Sequence, residues 1–73
     1  MQLHQLVYFI KVAEKGSINK AAEELFLSQP NLSQSIKSLE QEIGVPLFIR
    51  NNKGTTLTED GKKLYEYASV IIQ

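Results

Sequence analysis

The 73-residue chain contains no cysteine and no tryptophan, one histidine, one methionine, two prolines and four glycines. Without cysteine there is no disulfide framework, no thiolate zinc site and no thiol nucleophile, and a single histidine leaves no histidine-rich metal site. Nor is there an excess of charge of either sign, because eight basic side chains balance eight acidic ones. Neutrality argues against binding a polyanion by bulk charge and shifts attention to local charge placement and oriented backbone donors. No run approaches the roughly 20 apolar residues needed to span a bilayer. The start MQLHQLVYF lacks the basic, apolar and small-residue succession of a signal peptide, so a cytoplasmic location is the expectation. A Gly-rich phosphate loop is missing too, and the adjacent acids Glu23–Glu24 and Glu59–Asp60 read as solvated helix charges instead of a hydrolytic pair. His4 has no second histidine or cysteine to complete an acid–base or nucleophilic arrangement, so neither an enzyme nor a cofactor is implied.

What is present is enough for one small core. The composition is 42% hydrophobic, that of a globular domain which buries roughly 60% of its unfolded surface. Leu3, Leu6, Val7, Ile10 and Ala13, with Phe9 beside them, recur at helical spacing. Gly16 then ends a first helix, and Ser17 caps a short second one running to about Leu25. Within it Ala21 and Ala22 are small enough to let another helix approach closely.

A third helix is predicted to start at Ser28, with Pro30 in its first turn, where a missing N–H costs little, and to end at Gly44. Leu32, Ile36, Leu39 and Ile43 form its apolar stripe, at spacings of four, three and four. Two helices joined by FLS, the second capped and one-sided, make a helix-turn-helix signature. After VP, the segments LFIR and TTL flank a turn containing Asn52, Lys53 and Gly54, which predicts a small hairpin. Thr58 is placed to cap a final helix with Glu59 and Asp60 in its first turn, and Leu64, Tyr67, Ala68 and Ile71 share a side of it. That periodicity is still running at Gln73, so the helix is expected to continue or to meet a partner.

The Ser28 helix has an unusual ordering of charge. No acid occurs from Ser28 to Ile36, and Glu40 and Glu42 come only near its end, the reverse of what the helix dipole favours. A leading end clear of acids suits a phosphate at the free amides, a glutamine at a base edge, or a proline edge against a thymine methyl. From spacing alone, Gln29, Pro30, Ser33, Gln34 and Lys37 fit groove contact and a solvated helix face equally. Arg50, Asn52 and Lys53 likewise fit a backbone-touching hairpin tip or a soluble turn. The hydroxyls of Ser28 and Thr58 read first as caps, and a cap hydroxyl can also face a phosphate. A winged helix that only self-associates through its last helix is the competing reading.

The stretch SINKAAEELFLSQPNLSQSIKSLEQEIGVPLFIRNNKGTTLTEDG strongly resembles the N-terminal DNA-binding domain of LysR-type transcriptional regulators. Its most specific pieces are the alanine pair at 21 and 22, SQPNLSQSIKSLE, IGVPLFIR and LTEDG. The resemblance implies a mainly α, winged helix-turn-helix over residues 1–57, with 58–73 opening a linker and dimerisation helix. It further implies that Gln29, Pro30, Ser33 and Gln34 approach bases in the major groove, with Ser28, Lys37 and Thr58 toward the DNA backbone. The wing would contribute Arg50, Asn52 and Lys53, and Leu64, Tyr67, Ala68 and Ile71 would pair with a second copy. The implied partner is double-stranded DNA with a partly palindromic site, bound by a homodimer that belongs to a larger homo-oligomer at full length. Many members place arginine where this chain has Gln34 and glutamine where it has Ser35, so a bidentate guanine contact does not carry over. Such regulators usually bear a larger domain, resembling periplasmic binding proteins, that senses a small-molecule effector, and no such domain lies in these residues.

Overall fold

The capping and periodicity signals become real boundaries in the computed structural model, which describes residues 1–72. Among these the order is α1 (Leu3–Lys15), α2 (Ile18–Leu25), α3 (Gln29–Ile43), β1 (Phe48–Asn51), β2 (Gly54–Leu57) and α4 (Glu59–Ile72). Gly16 takes a left-handed φ of 64° and donates its N–H to the Val12 carbonyl, ending α1. Ser17 Oγ accepts from the Lys20 amide at 3.2 Å to start α2. Ser28 Oγ accepts from the Asn31 amide at 3.2 Å to start α3, and the Gly44 amide closes that helix on the Glu40 carbonyl at 2.8 Å. The mainly helical winged helix-turn-helix is therefore the fold of this chain.

Phe9, Val12, Ala21, Leu32, Ile36, Leu39, Leu47 and Ala68 form the fully enclosed centre. α2 packs on both α1 and α3, and the buried alanine pair supplies the small side chains that such close packing needs. The α3 stripe holds for Leu32, Ile36 and Leu39, but Ile43 remains 38% exposed. As the helix's last residue before the Gly44 turn, it lies at the edge of the cover that α1 and α2 provide.

β1 and β2 pair antiparallel, with Arg50 opposite Thr55 and Asn51 opposite Gly54, so the turn is Asn52–Lys53 and Gly54 already belongs to β2. Asn51 Oδ1 accepts from the Lys53 amide at 2.9 Å across that turn. Two ties seat the hairpin on the helices. The Thr55 amide donates to the Gly16 carbonyl at 3.0 Å, and the Phe48 ring lies 5.2 Å from that of Phe9.

Glu40 makes a third tie, one that its place near the end of α3 hides. Its Oε2 accepts from the backbone amides of Leu47 at 2.7 Å and Phe48 at 3.2 Å, holding the start of β1 against the helix. Both N–H groups share one carboxylate oxygen, and the negative charge on that acceptor strengthens both bonds. Replacing Glu40 with alanine, which leaves both amides without their acceptor, is expected to cost roughly 1–3 kcal/mol in a urea titration. An unchanged midpoint would show that the hairpin needs no such clamp. On the opposite side, Glu24 bridges α1 and α2 by accepting from Lys11 at 3.1 Å and pairing with Lys15 at 2.5 Å. The hydrogen bonds from Lys15 and Lys11 hold its carboxyl below the usual range, and the same bond to Glu24 raises the Lys15 ammonium.

The α4 stripe offered by the sequence as one surface divides in two. Gly61, Leu64, Ala68 and Ile72 face α1 and the hairpin, with Ala68 wholly enclosed. Tyr67, Val70 and Ile71 stay 70%, 72% and 61% exposed. Gln73 lies outside the described residues. Among the described residues, no helix is long and apolar enough to cross a membrane.

Candidate nucleic-acid interface

The outward face of α3 carries the side chains that the charge ordering singled out. Gln29, Pro30, Gln34 and Lys37 are exposed and Ser33 is half-buried, and the first turn has no acid. Two glutamines are oriented along the helix: Gln29 Nε2 donates to Ser33 Oγ at 2.8 Å, and Gln34 Nε2 reaches Ser38 Oγ at the outer limit of 3.5 Å. Each retains its amide oxygen and one N–H for an external partner, the donor–acceptor pair that adenine presents in complement in the major groove.

Arg50 connects this face to the hairpin. An open concavity of about 450 Å³ is lined by Pro30, Ser33, Gln34 and Lys37 of α3 together with Glu40, Phe48 and Arg50. A second recess of about 230 Å³ brings Arg50 and Asn51 against Ser17, Asn19 and Gln29. The polar leading end of α3 thus lies between the start of α2 and a basic strand, with Asn52 and Lys53 exposed at the tip. Glu40 is the one acid lining the larger concavity, and its Oε2 is engaged by the amides of Leu47 and Phe48.

Two predicted phosphate-side hydroxyls have structural duties. Ser28 caps α3 through its oxygen. Thr58 Oγ1 accepts from the Gly61 amide at 2.9 Å and donates to the Pro46 carbonyl at 2.8 Å, so its one proton is used inside the fold. Sequence reasoning missed Ser17, Asn19 and Asn51 as neighbours of the α3 face. The SIN at the start of α2 signals only a cap, and Asn51 falls between LFIR and the turn residues, where no pattern singles it out.

A capped helix with a polar, acid-free leading end, crossed by a preceding helix and flanked by a basic two-stranded wing, is the architecture of a DNA-binding winged helix-turn-helix. The profile of the bacterial regulatory helix-turn-helix proteins of the LysR family matches residues 3–62, and the chain belongs to that family. It is a DNA-binding domain of transcription regulators, and family membership carries the non-enzymatic assignment. The chain is 49% identical over 72 residues to the HTH-type transcriptional regulator BudR of Klebsiella aerogenes, covering 99% of this chain and 50% of BudR. Among solved structures, BenM_DBD in complex with catB site 1 DNA superposes with a TM-score of 0.95 at 39% identity, covering 99% of this chain and 81% of that one. CbnR, a LysR family transcriptional regulator, superposes at 0.94 with 40% identity, covering 99% of this chain and 25% of CbnR. The chain therefore spans about half the length of BudR and a quarter of CbnR.

Proposed function

We propose that this chain reads double-stranded DNA sequence-specifically as a symmetric pair, α3 lying in the major groove and the β1–β2 wing following the backbone. The concavity shared by Gln34, Lys37 and Arg50 carries this reading, because it joins base-reading amides to phosphate-seeking cations on one surface. The likeness to BenM_DBD bound to DNA supports the same orientation. Gln29, Pro30, Ser33 and Gln34 then discriminate bases, with Lys37, Arg50, Asn52 and Lys53 toward phosphates. Ser28 and Thr58 serve by holding the helix starts from which those groups project. Residues 1–57 are the reading unit, while residues 58–73 begin the helix that joins two copies through Tyr67 and Ile71, with Leu64 and Ala68 supporting it from within the protomer. The protein acts in the cytoplasm, its pairs belong to a larger homo-oligomer, and effector sensing is assigned to sequence outside these residues. No cofactor is required for reading.

An unbiased selection of duplexes, followed by titration at several salt concentrations, tests this directly. Sites should emerge as partial palindromes, and no duplex preference from a folded sample would sink the proposal. Two substitutions separate base from backbone. Gln34→Ala should lose roughly 1–3 kcal/mol of discrimination at one base pair and keep its salt dependence. Lys37→Ala should weaken all duplexes alike and reduce the salt slope by about 1. Uniform weakening by Gln34→Ala would instead place that amide on the backbone.

A further inference from the structure

The α3 helix repeats one spacing: a glutamine is followed four residues later by a serine, Gln29 by Ser33 and Gln34 by Ser38. Residues four apart are neighbours on a helix surface, so each hydroxyl is within reach of an amide. The two pairs are not equally made. Gln29 Nε2 donates to Ser33 Oγ at 2.8 Å, whereas Gln34 Nε2 stands 3.5 Å from Ser38 Oγ, where such a bond is nearly spent.

The difference matters because a glutamine amide has two ways round. Its terminal torsion is broad and roughly two-fold, so an untethered amide turns over at little cost. With Nε2 held by Ser33, Gln29 directs its amide oxygen and one N–H outward, the complement of the N6 donor and N7 acceptor of adenine. Turned over, the same amide would accept the Ser33 proton and direct two N–H groups outward, toward the N7 and O6 acceptors of guanine. A hydroxyl both donates and accepts, so Ser33 can hold either orientation. Arg50 breaks the tie: it lines the same recess as Gln29, and a cation there favours the orientation that turns the amide oxygen outward. Ser33 itself is half-buried among the residues lining the adjoining concavity, where Arg50 also stands.

We infer that Ser33 is a positioning residue that holds Gln29 in the orientation selecting adenine, while Gln34, without such a hold, separates purines from pyrimidines but accepts either purine. The inference rests on the DNA-binding reading above and adds which base each amide takes and which side chain enforces the choice. It gives α3 one strict and one permissive position. They lie five residues apart, about 7.5 Å along the helix, or roughly two base-pair steps.

The test uses the full-length protein and its best duplex from selection, with all four bases tried at each pair. Gln29→Ala and Gln34→Ala assign each amide to the base pair whose selectivity it removes. At the Gln29 pair the unaltered protein should prefer adenine to guanine by about tenfold or more, and at the Gln34 pair by no more than about twofold. Ser33→Ala should cut the first preference about fivefold, and Ser33→Thr, which keeps the hydroxyl, should restore it. In a Gln29→Ala background, Ser33→Ala should change selectivity no further, because a positioning residue acts only through the group it positions. Alanine forms helix better than serine, so the thermal melt of Ser33→Ala should hold or rise, separating lost selectivity from lost fold. An additive loss in the double variant overturns the inference by placing the Ser33 hydroxyl on the DNA itself. Equal strictness at the two pairs overturns it by showing that the hold on Gln29 has no consequence. Unchanged selectivity in Gln29→Ala overturns it as well and leaves the DNA-binding reading intact, whereas an unaltered protein that prefers no duplex rejects that reading itself.

Discussion

Gly61→Ala is expected to lower the melting temperature by roughly 10–25 °C, equivalent to about 3 kcal/mol in a domain of this size. A Cβ at this position would sit 2.2 Å from the Leu47 carbonyl oxygen, 3.1 Å from its carbon and 3.1 Å from a methyl of Leu57. The obstructing atom is backbone, so no rotamer change relieves it. Leu47 is itself pinned, since its carbonyl accepts from the Thr58 amide at 3.0 Å while its own amide donates to Glu40. Alanine favours a helix over glycine by about 1 kcal/mol, which is smaller than the overpacking cost and opposite in sign. Accommodation therefore requires α4 to lift away from the loop before β1, loosening Ala68 and Leu64 with it. Gly44→Ala provides the comparison: its Cβ would meet nothing within 4 Å, but φ is 93°, so only the left-handed backbone penalty of about 1–2 kcal/mol applies. Circular-dichroism melts of both variants decide the matter. Equal losses would show that the α4 contact yields easily.

These two glycines also show what was legible beforehand. Gly44 is readable because its task is local: an apolar stripe ends and the chain must reverse. Gly61 is not, because its requirement is set by a carbonyl on the far side of the hairpin. The same division runs through the rest of the molecule. Leu32, Ile36 and Leu39 announce themselves by periodicity, whereas Val12 and Leu47 are buried by neighbours that no local pattern specifies. Glu40 looked misplaced against the dipole because the amides it serves are seven and eight residues further on, beyond a turn. At the candidate interface, the exclusion of acids from the start of α3 was visible in the order of residues. That Arg50 stands between two recesses, joining α3 and the start of α2 to the wing, depends on strand register and on the tie from Thr55 to Gly16. The α4 stripe misled for a related reason. A helix can bury one side in its own domain and leave the next for a partner, and an unbroken apolar pattern merges the two.

That division of α4 leads to the largest expected effect on binding. Ile71→Asp should leave the fold of the protomer nearly unchanged, within about 0.5 kcal/mol, because the side chain is already 61% exposed. Self-association should be lost. If two copies meet through Tyr67 and Ile71, their interface is isologous, so one substitution places two carboxylates near the same axis, with desolvation and like-charge repulsion acting together. DNA binding then loses the advantage of presenting two linked reading helices. Affinity for a duplex with two half-sites is expected to fall roughly 10²–10⁴-fold, toward that of a single half-site. Affinity for a duplex carrying only one half-site should hardly change. Sedimentation velocity measures the first effect and paired titrations of one-site and two-site duplexes measure the second. A variant that remains dimeric, or that weakens on both duplexes equally, would remove Ile71 from the interface between copies. Ala68→Asp is the instructive opposite: Ala68 is wholly enclosed within the protomer, so an acid there should unfold the domain before any question of pairing arises.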